Sequence, residues 1–389
     1  MNNLIKDLTL IQAVNSLLEK SEVPAALTIE ECSSLLAMSM TSFRRKLSQE
    51  ETSYKLIQTK FLNELCVQNL LTKHIKIDDL AFKLGYSERA TFERAFRQKF
   101  GVTPSQFRIL SFVNSKNECH RNLIEIAKNM PPMSNSCRQL LEEKDQEGLD
   151  LQRVVNIINN DAIFSARIMG LASRAIYGRT PKNISEAISR NLGIVPVINL
   201  AVIYAMKDSL QNNVDTYIIE QYSEALVVAP KFFQLVRKSL ASDIHFDIAL
   251  TEQLLAFALL GIFLLSHKKA YKHELMEYSL KGIDDLQSLN SHVKETMDVS
   301  IFAASSLMLS LWHIDANIVK YLNHLDKISQ AKIKGSEEDE LILFMLSCLY
   351  FYASGRSDFS GLKQKAELMN IENLPEIANK LFNCEQVYN

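Results

Sequence analysis

Apolar residues recur at Ile77, Leu80, Ala81 and Leu84, the i, i+3, i+4, i+7 spacing of a short amphipathic helix. Asp78 and Asp79 stand in its first turn, where carboxylates favour the helix dipole. Gly85 follows and can take the left-handed conformation that ends a helix. Ser87 is then placed to cap another. In that second helix Phe92, Ala95, Phe96 and Phe100 form the apolar stripe, with Ala90, Arg94, Arg97 and Gln98 on the outward face. Gly101 is expected to stop it, and Thr103-Pro104 to open a further helix with proline in its first position.

The same unit occurs once before. Thr28 and Glu31 have capping-box spacing, and Ile29, Cys32, Leu35 and Leu36 give the stripe. Ala37-Met38-Ser39 make the turn, and Ser39 is expected to cap a helix from Met40 to about Gln49. There Phe43 and Leu47 face the core, Thr41, Arg45 and Ser48 face outward, and Arg44 lies on the flank. Each unit is a helix, a tight turn and a helix. The outward positions carry arginine and small polar residues rather than the Glu/Lys mixture of a solvated face. Arginine suits base recognition because its planar fork can grip guanine O6 and N7 together. One such unit could equally be a helical bundle with basic surface positions; two in tandem with matching turns favour a pair of helix-turn-helix motifs.

Residues 1–112 hold this pair, 113–120 are polar and aperiodic and read as a linker, and 121–389 are helical in pattern nearly throughout. Breaks are expected at Met130-Pro131-Pro132 and at Lys334–Glu340. With 11 Gly and 8 Pro in 389 residues, turn formers are too few for a many-stranded architecture, so the fold class is all-α. The apolar runs Leu254–Leu265 and Leu341–Ala353 are shorter than the roughly 20 residues a bilayer demands and read as buried helices.

Charge adds little. The net of −2 divides into +3 over residues 1–112 and −5 over the rest, which is compatible with nucleic-acid binding in the first part and decides nothing alone. The six cysteines, at 32, 66, 119, 137, 348 and 384, form no C-x-x-C pair and read as reduced structural thiols. The first residues lack the pattern of a signal peptide, so a cytoplasmic location with no membrane contact is expected.

Three stretches, IDDLAFKLGYSE at 77–88, ATFERAFR at 90–97 and FGVTPSQFR at 100–108, resemble the DNA-binding domain of AraC/XylS-type bacterial transcription regulators. The Met38-Ser39 turn followed by TSFRRKL at 41–47 fits the first motif of that family, although Ser33 and Ala37 stand where Ala and Gly are common. The resemblance implies two recognition helices entering successive major grooves of duplex DNA. Its base-contacting positions fall on Thr41, Arg44 and Arg45, and on Arg89, Ala90, Thr91 and Arg94. Ser39, Ser87 and Arg97 are expected phosphate contacts. In that family the DNA-binding domain usually ends the chain, whereas here it comes first.

Residues 118–389 resemble the HDOD domain, an output domain related to HD hydrolases. The carrying stretches are MPPM at 130–133, VNIINND at 155–161, RIMGLASRAIYG at 167–178, ISEAISRNLG at 184–193, and LSLWHID at 309–315 running to His324. Ala162 departs from the usual Pro, and Ser173-Arg174 from the usual Asn-Ser. HD hydrolases hold metal through spaced histidines and an adjacent His-Asp pair. This chain has no His-Asp dipeptide, and Ala256–Leu265, where the resemblance places it, is aliphatic and aromatic. His245/Asp247 and His313/Asp315 are two apart, which on a helix points them away from each other. No phosphate-binding glycine loop or nucleophile elbow occurs. The expectation is a non-enzymatic regulator with no metal, cofactor or catalytic residues. Its second part would sense a small molecule or protein, could form a homodimer through 121–389, and could bring RNA polymerase into play. A signalling adaptor with a protein-binding or vestigial helix-turn-helix half stays open as the rival, and a metal-dependent hydrolase is the third reading.

Overall fold

The computed structural model describes residues 9–50, 52–72, 75–100, 103–111, 122–123, 125–127, 130, 134–144, 150–240, 247–283, 285–312, 314, 316–356, and 362, 366, 367, 371 and 377. Among them every regular element is helical. The chain divides into two compact units, Met1–Val113 and Asn114–Asn389.

The first unit contains α1 (Leu10–Lys20), α2 (Ile29–Leu35), α3 (Met40–Gln49), α4 (Tyr54–Thr72), α5 (Ile77–Lys83), α6 (Arg89–Phe100) and α7 (Pro104–Ser111). Thr28 and Glu31 close the expected capping box on α2, and the Ser39 hydroxyl accepts from the Ser42 N–H at the start of α3. One core gathers Val14, Leu18, Cys32, Phe43, Leu47, Tyr54 and Ile57. The other half is an aromatic ladder in which Tyr86, Phe92, Phe96 and Phe107 stand 5.4, 5.8 and 5.5 Å apart between successive ring centroids. Helix α4 joins the two halves by packing against α1 and α7. Its first turn is clamped by Tyr54 Oη, which donates to Leu27 O at 2.6 Å, and by Gln58 Nε2, which donates to Pro24 O and Leu27 O at 2.9 Å.

One expectation fails in detail. Leu35 is 62% exposed and lies off the buried stripe of α2, because the helix ends there and the chain turns away. Phe100 and Gly101, assigned to the end of the second recognition helix, have no described side chain or lie outside the described residues. So do the linker 113–120, the Pro131-Pro132 break, and His245, His313 and Asp315.

The second unit runs through α8 (Asn135–Lys144), α9 (Leu151–Asn159), α10 (Ala162–Ala172), α11 (Ile184–Glu186, continued by a π turn Ala187–Leu192), α12 (Ile194–Leu210) and α13 (Thr216–Ser239). It continues with α14 (Ile248–Phe257), α15 (Gly261–Leu265), α16 (His273–Gly282), α17 (Leu286–Met297), α18 (Ile301–Leu311), α19 (Ala316–Ser329) and α20 (Glu337–Ala353). Its centre is α14–α15, packed by α13, α18 and α19. Leu254–Leu265 and nearly all of Leu341–Ala353 are buried, which explains their continuous apolar sequence. The stretch Ile248–Leu265 has the length and composition of a membrane span, but it is mostly buried in the unit and broken into two helices. Asp161 caps α10, its carboxylate accepting from Phe164 N–H at 2.9 Å. The Lys334–Glu340 interruption is the capped start of α20, where Ser336 and Asp339 form a capping box.

The described cysteines, Cys32, Cys66, Cys137 and Cys348, are buried. Burial pushes the Cys137 thiol up to about 12, which suppresses the thiolate and its reactivity.

Candidate nucleic-acid interface

The two helix-turn-helix units share a backbone device. After α2, Ala37 N–H donates to Ser34 O and Met38 N–H to Ser33 O, both at 2.9 Å. After α5, Gly85 N–H donates to Phe82 O at 2.9 Å and Tyr86 N–H to Ala81 O at 3.0 Å. This paired closure is a Schellman turn, and it needs a left-handed residue at its apex. Gly85 supplies it at φ +83°, and Ala37, despite its Cβ, at φ +53°. Ser33 is buried and its hydroxyl is satisfied by Glu30 O at 3.0 Å, so a serine fits where alanine is common.

The units differ in one residue of length. From the left-handed apex to the first buried phenylalanine is six positions in the first unit (Ala37 to Phe43) and seven in the second (Gly85 to Phe92). The extra residue moves the start of the helix. Helix α6 begins at Arg89, and Glu88 O accepts the first intrahelical bond, from Phe92 N–H at 3.2 Å. The flanking position is therefore Glu88 and not Ser87.

All ten expected contact residues are exposed: Ser39, Thr41, Arg44 and Arg45 on the first unit, and Ser87, Arg89, Ala90, Thr91, Arg94 and Arg97 on the second. Each second helix buries its phenylalanine side, Phe43 with Leu47 and Phe92 with Phe96, so the opposite side is the one presented. Arg44, Arg45, Arg94 and Arg97 make no ion pair among the described residues. Arg89 does. Its Nε donates to Glu93 Oε1 at 2.7 Å, and its guanidinium lies 3.6 Å from Asp78 Oδ2 on α5. The hydrogen bond and charge of Glu93 raise the Arg89 guanidinium further above its ordinary value. Sequence reasoning missed Glu93, which stands where the first unit has Arg44. The i, i+4 spacing from Arg89 was the available signal.

Arg108 is a support and not a reader. Its guanidinium donates to Ile75 O at 2.6 Å, pinning α7 to the chain just before α5. Burial lowers its pKa from the ordinary value.

In the second unit, the place where the resemblance would put a His-Asp pair is packed solid. Gly261 N–H donates to Ser305 Oγ at 2.7 Å, and Ser305 Oγ donates to Ala258 O at 2.7 Å. A Cβ on Gly261 would lie 2.2 Å from Ile301 O, so α15 and α18 touch backbone to backbone. The side chains there are aliphatic or aromatic and offer no metal donor. Among the described residues, no group of three His, Cys, Asp or Glu could hold a metal ion.

Comparison with known proteins agrees with this division. The HDOD domain profile matches residues 130–328, about half of the chain, and a helix-turn-helix domain profile matches residues 32–109. The chain belongs to the HDOD family. This HDOD protein carries its helix-turn-helix domain ahead of the HDOD domain. Over that first domain it is 37% identical across 73 residues to the HTH-type transcriptional regulator VqsM of Pseudomonas aeruginosa, covering 19% of this chain and 22% of that one. It is 32% identical across 80 residues to the ornithine utilization regulator of the same organism, covering 21% and 24%. With the HTH-type transcriptional regulator GadX of Escherichia coli K12 it shares 30% across 80 residues, covering 21% and 29%. The chain thus spans less than a third of the length of these curated relatives. Among solved structures, a Marinobacter aquaeolei VT8 protein provisionally assigned to signal transduction superposes with a TM-score of 0.48 at 13% identity, covering 71% of this chain and 66% of that one. A Shewanella amazonensis SB2B protein provisionally assigned as a phosphohydrolase gives 0.47 at 14%, covering 69% and 94%.

Proposed function

We propose that this HDOD protein is a cytoplasmic, sequence-specific DNA-binding transcription regulator whose second unit modulates binding rather than catalysing a reaction. The observation that carries the reading is the repeated Schellman turn. It sets two short helices with their phenylalanine sides buried and leaves Arg44, Arg45, Arg94 and Arg97 exposed, with no ion pair among the described residues. A solvated bundle surface has no need of that repetition. The aliphatic filling of the HD position argues against hydrolysis. Self-association through 121–389, a sensed effector and contact with RNA polymerase belong to the same proposal.

Selection of bound fragments from a random duplex pool tests it directly. Enrichment of one sequence is the expected result. Affinity for that sequence should fall steeply with salt, as counterions return to the phosphates. Arg94→Ala should cost roughly 1–3 kcal/mol on the selected site and relax preference there. Arg97→Ala should weaken all sequences alike and flatten the salt slope by about one. A pool that yields no enriched sequence, with binding indifferent to both changes, would hand the case to the adaptor reading.

A further inference from the structure

Helix α14 lies at the centre of the second unit, yet it carries Thr251, Glu252 and Gln253 in succession, all buried. A core helix is weakened by polar groups it leaves unmatched. Gln253 is only 3% exposed, and its Nε2 has no hydrogen-bond partner among the described residues. An unmatched buried donor of this kind is destabilising, because it has given up its hydrogen bonds to water and gained none.

Gln253 lines a cavity of about 740 Å³ walled by α8, α12, α14 and α19. That is within the range of small-molecule sites, about 300–1,000 Å³. The carboxylates near it are already engaged. Asp247 caps α14, accepting from Leu250 N–H at 3.0 Å. Asp339 accepts from Tyr321 Oη at 2.7 Å and from Ser336 N–H and Oγ at 2.8 Å, and pairs with His324 Nε2 at 3.0 Å. These bonds fix Tyr321 and His324 as part of the cavity wall. The Gln253 and Asn317 amides and the Lys320 and Lys144 ammonium groups line the space as donors, and Val195 and Leu250 supply apolar surface. Lys320 is exposed and forms no ion pair among the described residues.

We infer that this cavity binds a small organic anion, its phosphate or carboxylate oxygens accepting from Gln253 Nε2 and balanced by Lys320. Its carbon body rests on Val195 and Leu250. The inference deepens the reading of the second unit as the part that receives a signal, and it rests on that reading only for its regulatory meaning. The lining lies before Ala256 on α14 and on other helices, so it does not include the packed Ala256–Leu265 segment.

The test is thermal denaturation and calorimetric titration of the full chain with glycerol 3-phosphate, ribose 5-phosphate and citrate at millimolar concentrations. At least one should bind saturably and raise the Tm; the phosphates and citrate separate the two kinds of anion. Lys320→Ala, a change at the surface, should weaken binding roughly tenfold, as expected for a charge-assisted contact. Gln253→Leu should abolish binding while leaving the Tm of the unliganded chain unchanged or higher, because it removes an unmatched donor. A purely structural glutamine would instead give a lower Tm. Should Gln253→Leu fail to fold, Lys320→Ala decides. No saturable binding by any of the three probes, or binding indifferent to both changes, overturns the site. Arg94→Ala must leave anion binding intact, so loss of DNA recognition and loss of the cavity's ligand are read separately.

Discussion

At the scale of single residues, the two left-handed turn apexes make opposite demands on a methyl group. An L-residue in that conformation costs roughly 1–2 kcal/mol. Glycine there escapes this cost but loses about 0.5–1 kcal/mol of chain entropy on folding. At Ala37 the strain exceeds the entropy, so Ala37→Gly should stabilise the first unit by about 0.5–1 kcal/mol. At Gly85 the reverse change brings strain and a collision. The new Cβ would stand 2.6 Å from the Ala25 Cβ, within the same unit. Gly85→Ala should therefore destabilise by more than Ala37→Gly gains, and urea denaturation of the two variants reads both signs. The left-handed turns were legible from Gly85 and from the smallness of Ala37. That Gly85 also permits the approach of the Pro24–Ala26 turn was not, since nothing in local spacing ties positions sixty residues apart.

At the scale of elements, the second recognition helix brings its own anion to the surface that would face DNA. Glu93 holds Arg89, and Asp78 on α5 stands behind it, so Arg89 braces the two helices of its motif until something replaces a carboxylate. Exposed pairs of this kind contribute little stability, about 0–1 kcal/mol. Their larger effect is on partner choice, because an acid beside the phosphates penalises loose, sequence-blind contacts. Glu93→Gln should raise affinity for random DNA and steepen its salt slope by about one, while the margin between selected and random DNA narrows. A filter-binding salt series on both DNAs measures this, and unchanged slopes would remove Glu93 from the account. The periodicity of α5 and α6 was readable because burial on one side is what periodicity records. The shift of the helix start from Ser87 to Glu88 was not, because a one-residue insertion in the turn leaves the apolar stripe untouched. In the second unit, the start of α20 has a comparable hidden device. Burial works against ionisation of Asp339, but the Ser336 N–H, the Tyr321 and Ser336 hydroxyls and His324 together hold its carboxyl below the ordinary value. A carboxyl depressed in the folded state contributes stability that is complete above its unfolded value, about 4, and is lost as pH falls through the folded one. The stability gap between the native chain and Asp339→Asn should therefore be open at neutral pH and close below about pH 4.

At the scale of the whole molecule, the chain joins a unit of net charge +3 to one of net charge −5, each with its own buried core. Under the proposed reading, two separate routes would let the second unit alter DNA binding, and salt distinguishes them. Its surplus of acids would repel phosphates through space, an effect that would fade once the Debye length shrinks to about 10 Å at 0.1 M salt and less beyond. A conformational coupling, in which one arrangement of the chain binds DNA better than another, persists at any salt where binding is measurable. The isolated 1–113 unit should bind the selected DNA more tightly than the full chain at low salt, since it sheds the acids. If regulation is conformational, a difference must survive when both are compared at the highest salt that still permits binding. It must also change when an anion occupies the cavity beside Gln253. Convergence of the two affinities at high salt, with or without anion, would reduce the second unit to an electrostatic brake. The DNA reading would stand and the switch would go. Sequence patterning could locate the two cores because each is built from local helical stripes. It could not show which groups inside the second lack partners, because an amide such as Gln253 reads the same whether its donor is met by protein or waits for a ligand.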